Sequence, residues 1–241
     1  MIKLDKNDVL LFSGDSITEG MRVTRMDCNH IFGHGYQYIA AGELALAYAS
    51  EAPKFINKAY SGYTMYQLAD RWEEDVIANK PTVVSLLAGT NDGNIGFDQK
   101  ISPEENTARY SDALSRCIEQ TEKALPGTRF IVCEPFYFPL DRSDLSYKFT
   151  PHPDCEAPFT RPDSGDTDER VEYRLCADKL IRAKAKEIAE KYGCTFVSFH
   201  DTFVEAMKNA RREYFTWDGT HPTIAGHMLM AKKWLKDTAE L

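Results

Sequence analysis

Short apolar runs alternate with stretches of helical periodicity along this chain, and that alternation constrains the fold more than any other feature. Residues 9–13 form one such run, closed by Gly14. Residues 55–56 are a weaker one, and residues 82–87 (TVVSLL) a stronger one introduced by Pro81. Residues 129–133 follow the turn at Pro126 and Gly127, and residues 195–199 follow Gly193. Apolar runs of this length, bounded by turn residues, read as strands buried on both faces. Between them Met65, Leu68, Ala69, Trp72, Val76 and Ile77 recur at helical spacing, with Thr64 and Gln67 as a capping box. Tyr110, Leu114, Cys117, Ile118, Thr121 and Leu125 make a second helical face, entered through Ser102 as N-cap, Pro103 in the first turn and Glu105 as reciprocal cap. Ala177, Leu180, Ile181, Ala185, Ile188, Ala189 and Tyr192 make a third, closed by Gly193, and residues 223–235 read as the last helix. The alternation predicts an α/β fold: a central parallel sheet, covered by helices on both faces, with right-handed crossovers. Ligands in such folds bind at the carboxyl ends of the strands.

The residues just past each strand are therefore the ones to weigh for chemistry. After the first comes Gly14-Asp15-Ser16-Ile17-Thr18-Glu19-Gly20, which sets Ser16 at the start of a helix. Free N–H groups and the positive dipole end there stabilise negative charge. Gly-Asp-Ser is equally a common turn composition, so this piece alone leaves catalysis open. After the second strand, Gly62 in NKAYSG lets a ligand approach a backbone N–H closely. After the third, Asn91 in AGTNDG offers a side-chain amide to an oxyanion, although Asn, Asp and Gly also simply make turns. Near the C-terminus, Asp218 precedes His221 by three residues in WDGTHP, just before a helix. That spacing lets a carboxylate hold Nδ1–H while Nε2 points elsewhere, the base-and-orienter pair a serine nucleophile needs. Of the six histidines, His221 alone combines such a partner with a post-strand setting; His30, His34, His152, His200 and His227 read as surface or core residues.

Taken jointly, in this order and each at a strand end, these blocks resemble the SGNH/GDSL hydrolases. GDSITEG, NKAYSG, GTND and DGTHP match the four family blocks over nearly the whole chain. The resemblance implies a three-layer α/β/α sandwich of the flavodoxin-like type, and a serine esterase working through an acyl-enzyme. Ser16 would attack the ester carbonyl, His221 would shuttle the proton, and Asp218 would orient and compensate His221. The oxyanion hole would be the Ser16 N–H, the Gly62 N–H and the Asn91 amide. Neither a cofactor nor a metal is implied. Within the family, the stretches FINKAYSGYTMYQLADRWEEDVIANKPTVVSLLAGTND and FTWDGTHPTIAGHMLMAKKWL are most similar to bacterial cytoplasmic acetylesterases of acetylated xylo-oligosaccharides. That likeness implies a small-molecule or oligosaccharide acetyl ester as substrate, and self-association into a homo-oligomer. Rival readings are a short-chain lipid esterase, lysophospholipase or thioesterase on the same triad, and a non-catalytic glycan-binding module. One departure is Ala59, where the second block usually carries glycine.

Composition narrows partners and compartment. A length of 241 residues suits one domain spanning residues 1–241. The formal charge of −8 repels phosphate backbones, so nucleic acid is excluded as a partner, while a neutral sugar ester tolerates it. The first dozen residues lack the run of about 7–15 apolar residues of a secretory signal, and no run of about 18 spans a bilayer. The expectation is a cytoplasmic chain with no membrane partner. Cys28, Cys117, Cys133, Cys155, Cys176 and Cys194 form no CxxC pair and read as free thiols, with Cys117, Cys133 and Cys176 in apolar segments. Residues 141–172, rich in Pro, Asp, Ser and Thr, read as an irregular excursion over the active-site face. Asp163, Asp166, Asp168 and Glu169 lack the order of a calcium loop and read as solvated. Phe136, Tyr137 and Phe138 are either a ligand wall or core, and Trp217 packs against either the triad or the acyl group.

Overall fold

Five strands pair in parallel to form the central layer: β1 (Val9–Gly14), β2 (Lys54–Asn57), β3 (Val83–Leu87), β4 (Arg129–Cys133) and β5 (Thr195–Val197). Their spatial order is β2-β1-β3-β4-β5. The computed structural model describes residues 4–23, 27, 30–140 and 167–239. The described helices are α1 (Ser16–Glu19), α2 (Tyr36–Tyr48), α3 (Met65–Asp70), α4 (Trp72–Asp75), α5 (Thr90–Asp98), α6 (Pro103–Ala124), α7 (Asp168–Lys191), α8 (Phe199–Ala206) and α9 (Ile224–Thr238).

Alternation of side chains along the strands sorts the core into two. Leu10, Phe12, Val83, Leu87, Ile131, Cys133 and Val197 face one way and pack with α2, α8 and α9. Leu11, Val84, Leu86, Phe130 and Val132 face the other way and pack with α3, α4, α6 and α7. Burial on both faces explains why the strands read as unbroken apolar runs rather than as alternating ones. The result is the expected α/β/α sandwich. Two buried tryptophans keep their N–H groups paired: Trp72 donates to Thr121 Oγ1 at 2.7 Å, and Trp234 to Ser85 Oγ at 3.0 Å. No helix among the described residues is long and apolar enough to cross a membrane.

Several sequence expectations need correction. The single helix expected over residues 65–77 is interrupted at Arg71, whose φ of −105° and ψ of 5° leave helical geometry between α3 and α4. The last strand ends at Val197, because Phe199 is already the first residue of α8. The irregular stretch was expected to run through residue 172, but Thr167 caps α7, its hydroxyl accepting from Arg170 N–H at 3.2 Å, so Asp168 and Glu169 are a helix's first turn. Residues 141–166, with Asp163, Asp166, His152 and Cys155, lie outside the described residues, as does Cys28. Cys117 and Cys133 are buried thiols, but Cys176 is exposed on the outer side of α7. Phe136, Tyr137 and Phe138 are all buried, so they belong to the core.

Candidate active site

The strand order places three of the four blocks side by side. β1 lies between β2 and β3, so the loops carrying Gly62, Ser16 and Asn91 leave the sheet from three neighbouring carboxyl ends. The crevice between β1 and β3 is the point where strand order reverses, the usual ligand site of such sheets. Gly14 lets β1 end there. Its φ is +154°, and a Cβ on it would lie 2.3 Å from the Leu87 carbonyl oxygen of β3. Asp15 then caps α1, its Oδ1 accepting from Ile17 N–H at 3.0 Å, and Ser16 is the first helical residue.

Ser16 Oγ lies 2.7 Å from His221 Nε2, and His221 Nδ1 lies 2.6 Å from Asp218 Oδ2. An ionised carboxylate only accepts, so it holds the proton on Nδ1 and leaves the Nε2 lone pair facing the Ser16 hydroxyl. Asp218 Oδ1 also accepts from the backbone N–H groups of Thr220 at 2.9 Å and His221 at 2.6 Å. Burial pushes the Asp218 pKa up, but the hydrogen bond and charge of His221 and the two backbone donors outweigh it, leaving it below the ordinary carboxylate value. For His221 burial pushes down, and the Asp218 hydrogen bond and charge, with the Asp15 charge, outweigh it and raise the pKa.

The loop bearing this pair is closed at its base by an isolated bridge between Thr216 and Pro222, and by Trp217 N–H donating to the His221 carbonyl. Phe138 N–H donates to the Gly219 carbonyl at 2.8 Å, tying the loop to the segment that follows β4. The Trp217 ring stacks on the His221 imidazole, 5.6 Å between centroids and 20° between planes.

Asn91 sits in the first turn of α5, half-buried, and donates one amide N–H to the Tyr63 carbonyl at 3.0 Å. The amide carries a second N–H. Gly62 is exposed at φ +79°, with nothing within 4 Å of where a Cβ would be. Its loop runs beside the end of β1, because Tyr60 N–H donates to the Gly14 carbonyl at 2.9 Å. Asn57, at the head of that block, donates to the Thr18 and Phe32 carbonyls at 2.8 Å each and accepts from Ala59 N–H at 3.0 Å. The unusual Ala59 is itself wholly buried, and its carbonyl accepts from Arg22.

Two buried carboxyls escaped the sequence reading. Asp15 and Asp92 are essentially inaccessible. Burial pushes Asp15 up to about 6, against the Ile17 N–H and the His221 charge, and its Oδ2 has no hydrogen-bond partner. Burial pushes Asp92 up to about 7, against the Met65 N–H, with the Asp15 charge adding to the rise. Both stand beside residues that were weighed, Ser16 and Asn91, and an acidic residue beside an apolar strand end is the signal that would have found them. Arg174 was also missed, although it extends the buried track of Ala177 and Ile181 back along α7. The setting expected for His221 needs correction, because it lies between α8 and α9 rather than just past a strand; exposed His30, between α1 and α2, is also paired with an aspartate three residues earlier, Asp27 at 2.8 Å. His227 is half-buried and accepts from Tyr36 N–H at 3.1 Å; desolvation, then the His34 and His221 charges, push its pKa down to about 4. Among the described residues no three His, Cys, Asp or Glu side chains are grouped to hold a metal ion.

Comparison with known proteins identifies the family. The GDSL-like Lipase/Acylhydrolase family matches residues 12–229. An acetylxylan esterase of Geobacillus stearothermophilus is 30% identical over 241 residues, covering 98% of this chain and 96% of that protein. A solved structure of the acetylxylan esterase Axe2 from that organism superposes with a TM-score of 0.71 at 29% identity, covering 98% of this chain and 96% of the other. A protein of Parabacteroides merdae, described only as a GDSL-like lipase, gives a TM-score of 0.78 at 31% identity, covering 98% and 97%. Three solved variants of Axe2 are described as catalytic mutants, and they replace a serine, a histidine and an aspartate by alanine. With the family matched across most of its length, the chain belongs to the GDSL-like lipases and acylhydrolases and is a carboxylic ester hydrolase.

Proposed function

We propose that the chain removes acetyl groups from carbohydrate esters of the xylo-oligosaccharide type through an acyl-enzyme on Ser16. The observation that carries this reading is the hydrogen-bond chain from Ser16 through His221 to Asp218, at 2.7 and 2.6 Å. In the first step His221 Nε2 takes the hydroxyl proton as Ser16 Oγ attacks the ester carbonyl, and the imidazolium then protonates the departing sugar oxygen. Water, deprotonated by the same nitrogen, releases acetate in the second step. The Ser16 N–H, the Gly62 N–H and the free N–H of Asn91 receive the oxyanion, a role worth about 3–4 kcal/mol per donor elsewhere. The Axe2 mutants support the assignment of roles, since their aspartate and histidine are also three residues apart.

The sugar assignment rests on the esterase likeness over nearly the full length. The reading extends to a cytoplasmic homo-oligomer with neither nucleic acid nor membrane as partner; the four described cysteines, all free, suit a reducing compartment. Acetate release from acetylated xylo-oligosaccharides, beside simple esters of rising acyl length, tests the reading with wild type and Ser16→Ala in parallel. Expected are release from the sugars, labelling of Ser16 by a serine-directed phosphonate, and loss of both in Ser16→Ala. A preference for acyl chains of about eight carbons or more would replace the sugar by a lipid, and sugar binding without hydrolysis would make the chain a binding module. Full activity in Ser16→Ala would end the proposal.

A further inference from the structure

Behind the loop that carries Asp218 and His221 lies a buried arginine from another layer of the fold. Arg174, in the second turn of α7, is 6% exposed. Its Nη2 donates to Thr220 Oγ1 at 3.0 Å, and Thr220 stands between Asp218 and His221 in the chain. Its guanidinium lies 3.6 Å from the centroid of the Tyr137 ring, which is itself buried in the segment after β4. The same face of α7 packs on α5, where Arg170 lies 4.6 Å over the Phe97 ring. α7 thereby spans from the helix that bears Asn91 to the loop that bears the histidine.

Burying a guanidinium is unfavourable unless hydrogen bonds and a polarisable partner compensate it. A threonine hydroxyl and a tyrosine face provide both here, and the site they stiffen is the one short loop on which the base depends. We propose that Arg174 is a positioning residue for the base: through Thr220 it fixes the loop that aligns Asp218 and His221 with Ser16. The inference rests on the triad reading given above.

The charge has a second consequence. The described charged or titratable groups that face His221 are Asp218 on its own loop, Asp15 at the end of β1, His227 on α9 and Arg174 on α7. Burial lowers the His221 pKa and the two carboxylates raise it, while the Arg174 charge lowers it. His227, pushed down to about 4, is neutral at working pH. Among these groups Arg174 is therefore the permanent cation opposing the imidazolium, and it keeps the base neutral to lower pH than the carboxylates alone would allow.

The test compares Arg174→Met, Arg174→Lys and Thr220→Val with wild type and Ser16→Ala. The readouts are kcat and KM for p-nitrophenyl acetate across pH 5–9, with thermal melts to verify folding. Arg174→Met is expected to move the acid limb of kcat/KM to higher pH, so that the ratio of activity at pH 6 to that at pH 8 falls about threefold. Arg174→Lys keeps the charge and loses the planar contact; it should leave the limb in place and lower kcat. Thr220→Val removes the acceptor alone and should lower kcat about tenfold with KM and limb unmoved. A folded Arg174→Met with wild-type kcat and an unmoved limb overturns the inference. If that variant does not fold, Arg174→Lys and Thr220→Val decide: unchanged kcat in both overturns it, and lowered kcat with a fixed limb upholds it. Wild-type activity that survives in Ser16→Ala would instead sink the triad reading, so the two failures are distinguishable.

Discussion

Replacing Asp218 by asparagine tests the hydrogen-bond chain more sharply than deletion does. The carboxylate divides its work between two oxygens. Oδ1 accepts from the N–H groups of Thr220 and His221, at 2.9 and 2.6 Å, and Oδ2 accepts from His221 Nδ1 at 2.6 Å. An asparagine has one oxygen, and the two fixed backbone donors claim it. The amide nitrogen is then left against Nδ1, and it only donates. The imidazole answers by moving its proton to Nε2, which faces Ser16 Oγ at 2.7 Å. The serine then meets a donor where it needs a base. In serine proteases the same exchange lowers kcat about 10⁴-fold, or about 5 kcal/mol at 1.36 kcal/mol per tenfold. The backbone contacts of residue 218 survive the change, so folding should be preserved. The assay is kcat and KM for a short acetyl ester at pH 8, with active-site titration to exclude wild-type contamination, and a thermal melt alongside. Expected are a kcat lowered about 10⁴-fold, an unchanged KM and a Tm within a few degrees of wild type. A kcat within tenfold of wild type in a folded variant would refute the tautomer argument.

Two further outcomes follow from the charges around the site. The His221 pKa is raised above 6.5 by Asp218 and Asp15 against burial, and only the neutral imidazole accepts a proton. The acid limb of kcat/KM should therefore lie above pH 6.5, with activity lost as pH falls through it; a limb below 6.5 contradicts the assignment. Asp92 gives the opposite kind of linkage. Its folded-state pKa, pushed up from 3.8 to about 7, means the native state binds the proton more tightly than the unfolded one. Stability is then lost as pH rises from about 4 through 7, by on the order of 4 kcal/mol when fully ionised. Asp92→Asn keeps an acceptor for Met65 N–H and has no charge to bury. Its Tm relative to wild type should rise between pH 4 and pH 8.5, and a pH-independent difference would show that Asp92 carries no buried charge.

Much of this architecture is readable in the residues because parallel strands buried on both faces leave continuous apolar runs. Helices were visible where chemistry marks their ends: Thr64 and Gln67 form the expected capping box, and Ser102 Oγ accepts from Glu105 N–H at 3.1 Å. Three helices absent from the sequence expectations carried no such mark. α2 and α8 begin without a side-chain cap, and α2 has no clear apolar stripe to betray its period. α5 contains Gly93 and Gly96, poor helix formers that sequence propensity counts against it. Tertiary packing explains them, for a Cβ at Gly96 would lie 2.5 Å from the Tyr173 hydroxyl and 2.6 Å from Asn106 Nδ2. The break at Arg71 is likewise tertiary. Its ion pair with Asp75 at 2.8 Å is local, four residues on, but its guanidinium also lies 4.9 Å over the Tyr60 ring, a contact that no local periodicity encodes. Three of the site blocks were legible because each sits at a strand end with its own turn chemistry, and the fourth, with Asp218 and His221, was marked by its Asp-His spacing in the loop before α9. What joins them was not, since Arg174 reaches Thr220 across 46 positions of sequence.

Proximity to His221 would not by itself identify its partner, because two carboxyls act on the imidazole with the same sign. Asp15 and Asp218 both raise the His221 pKa, and burial pushes up the pKa of each. Their hydrogen bonds separate them. Asp218 accepts from the His221 ring and from two backbone N–H groups, and it ends below the ordinary carboxylate value. Asp15 has the Ile17 N–H on one oxygen and nothing on the other, and it ends at about 6. A carboxylate that must steady a transient imidazolium has to stay ionised while the serine proton moves, and only Asp218 is solvated well enough by donors to do so across the working range. Asp15, for its part, is pushed up to about 6 by burial and takes up a proton as pH falls through that value. As pH falls it ceases to support the imidazolium, so the His221 titration is flattened relative to that of a lone imidazole. An NMR titration of the His221 ring should show that flattening in wild type and its loss in Asp15→Asn. A single-site curve in wild type would mean that Asp15 does not titrate with the base.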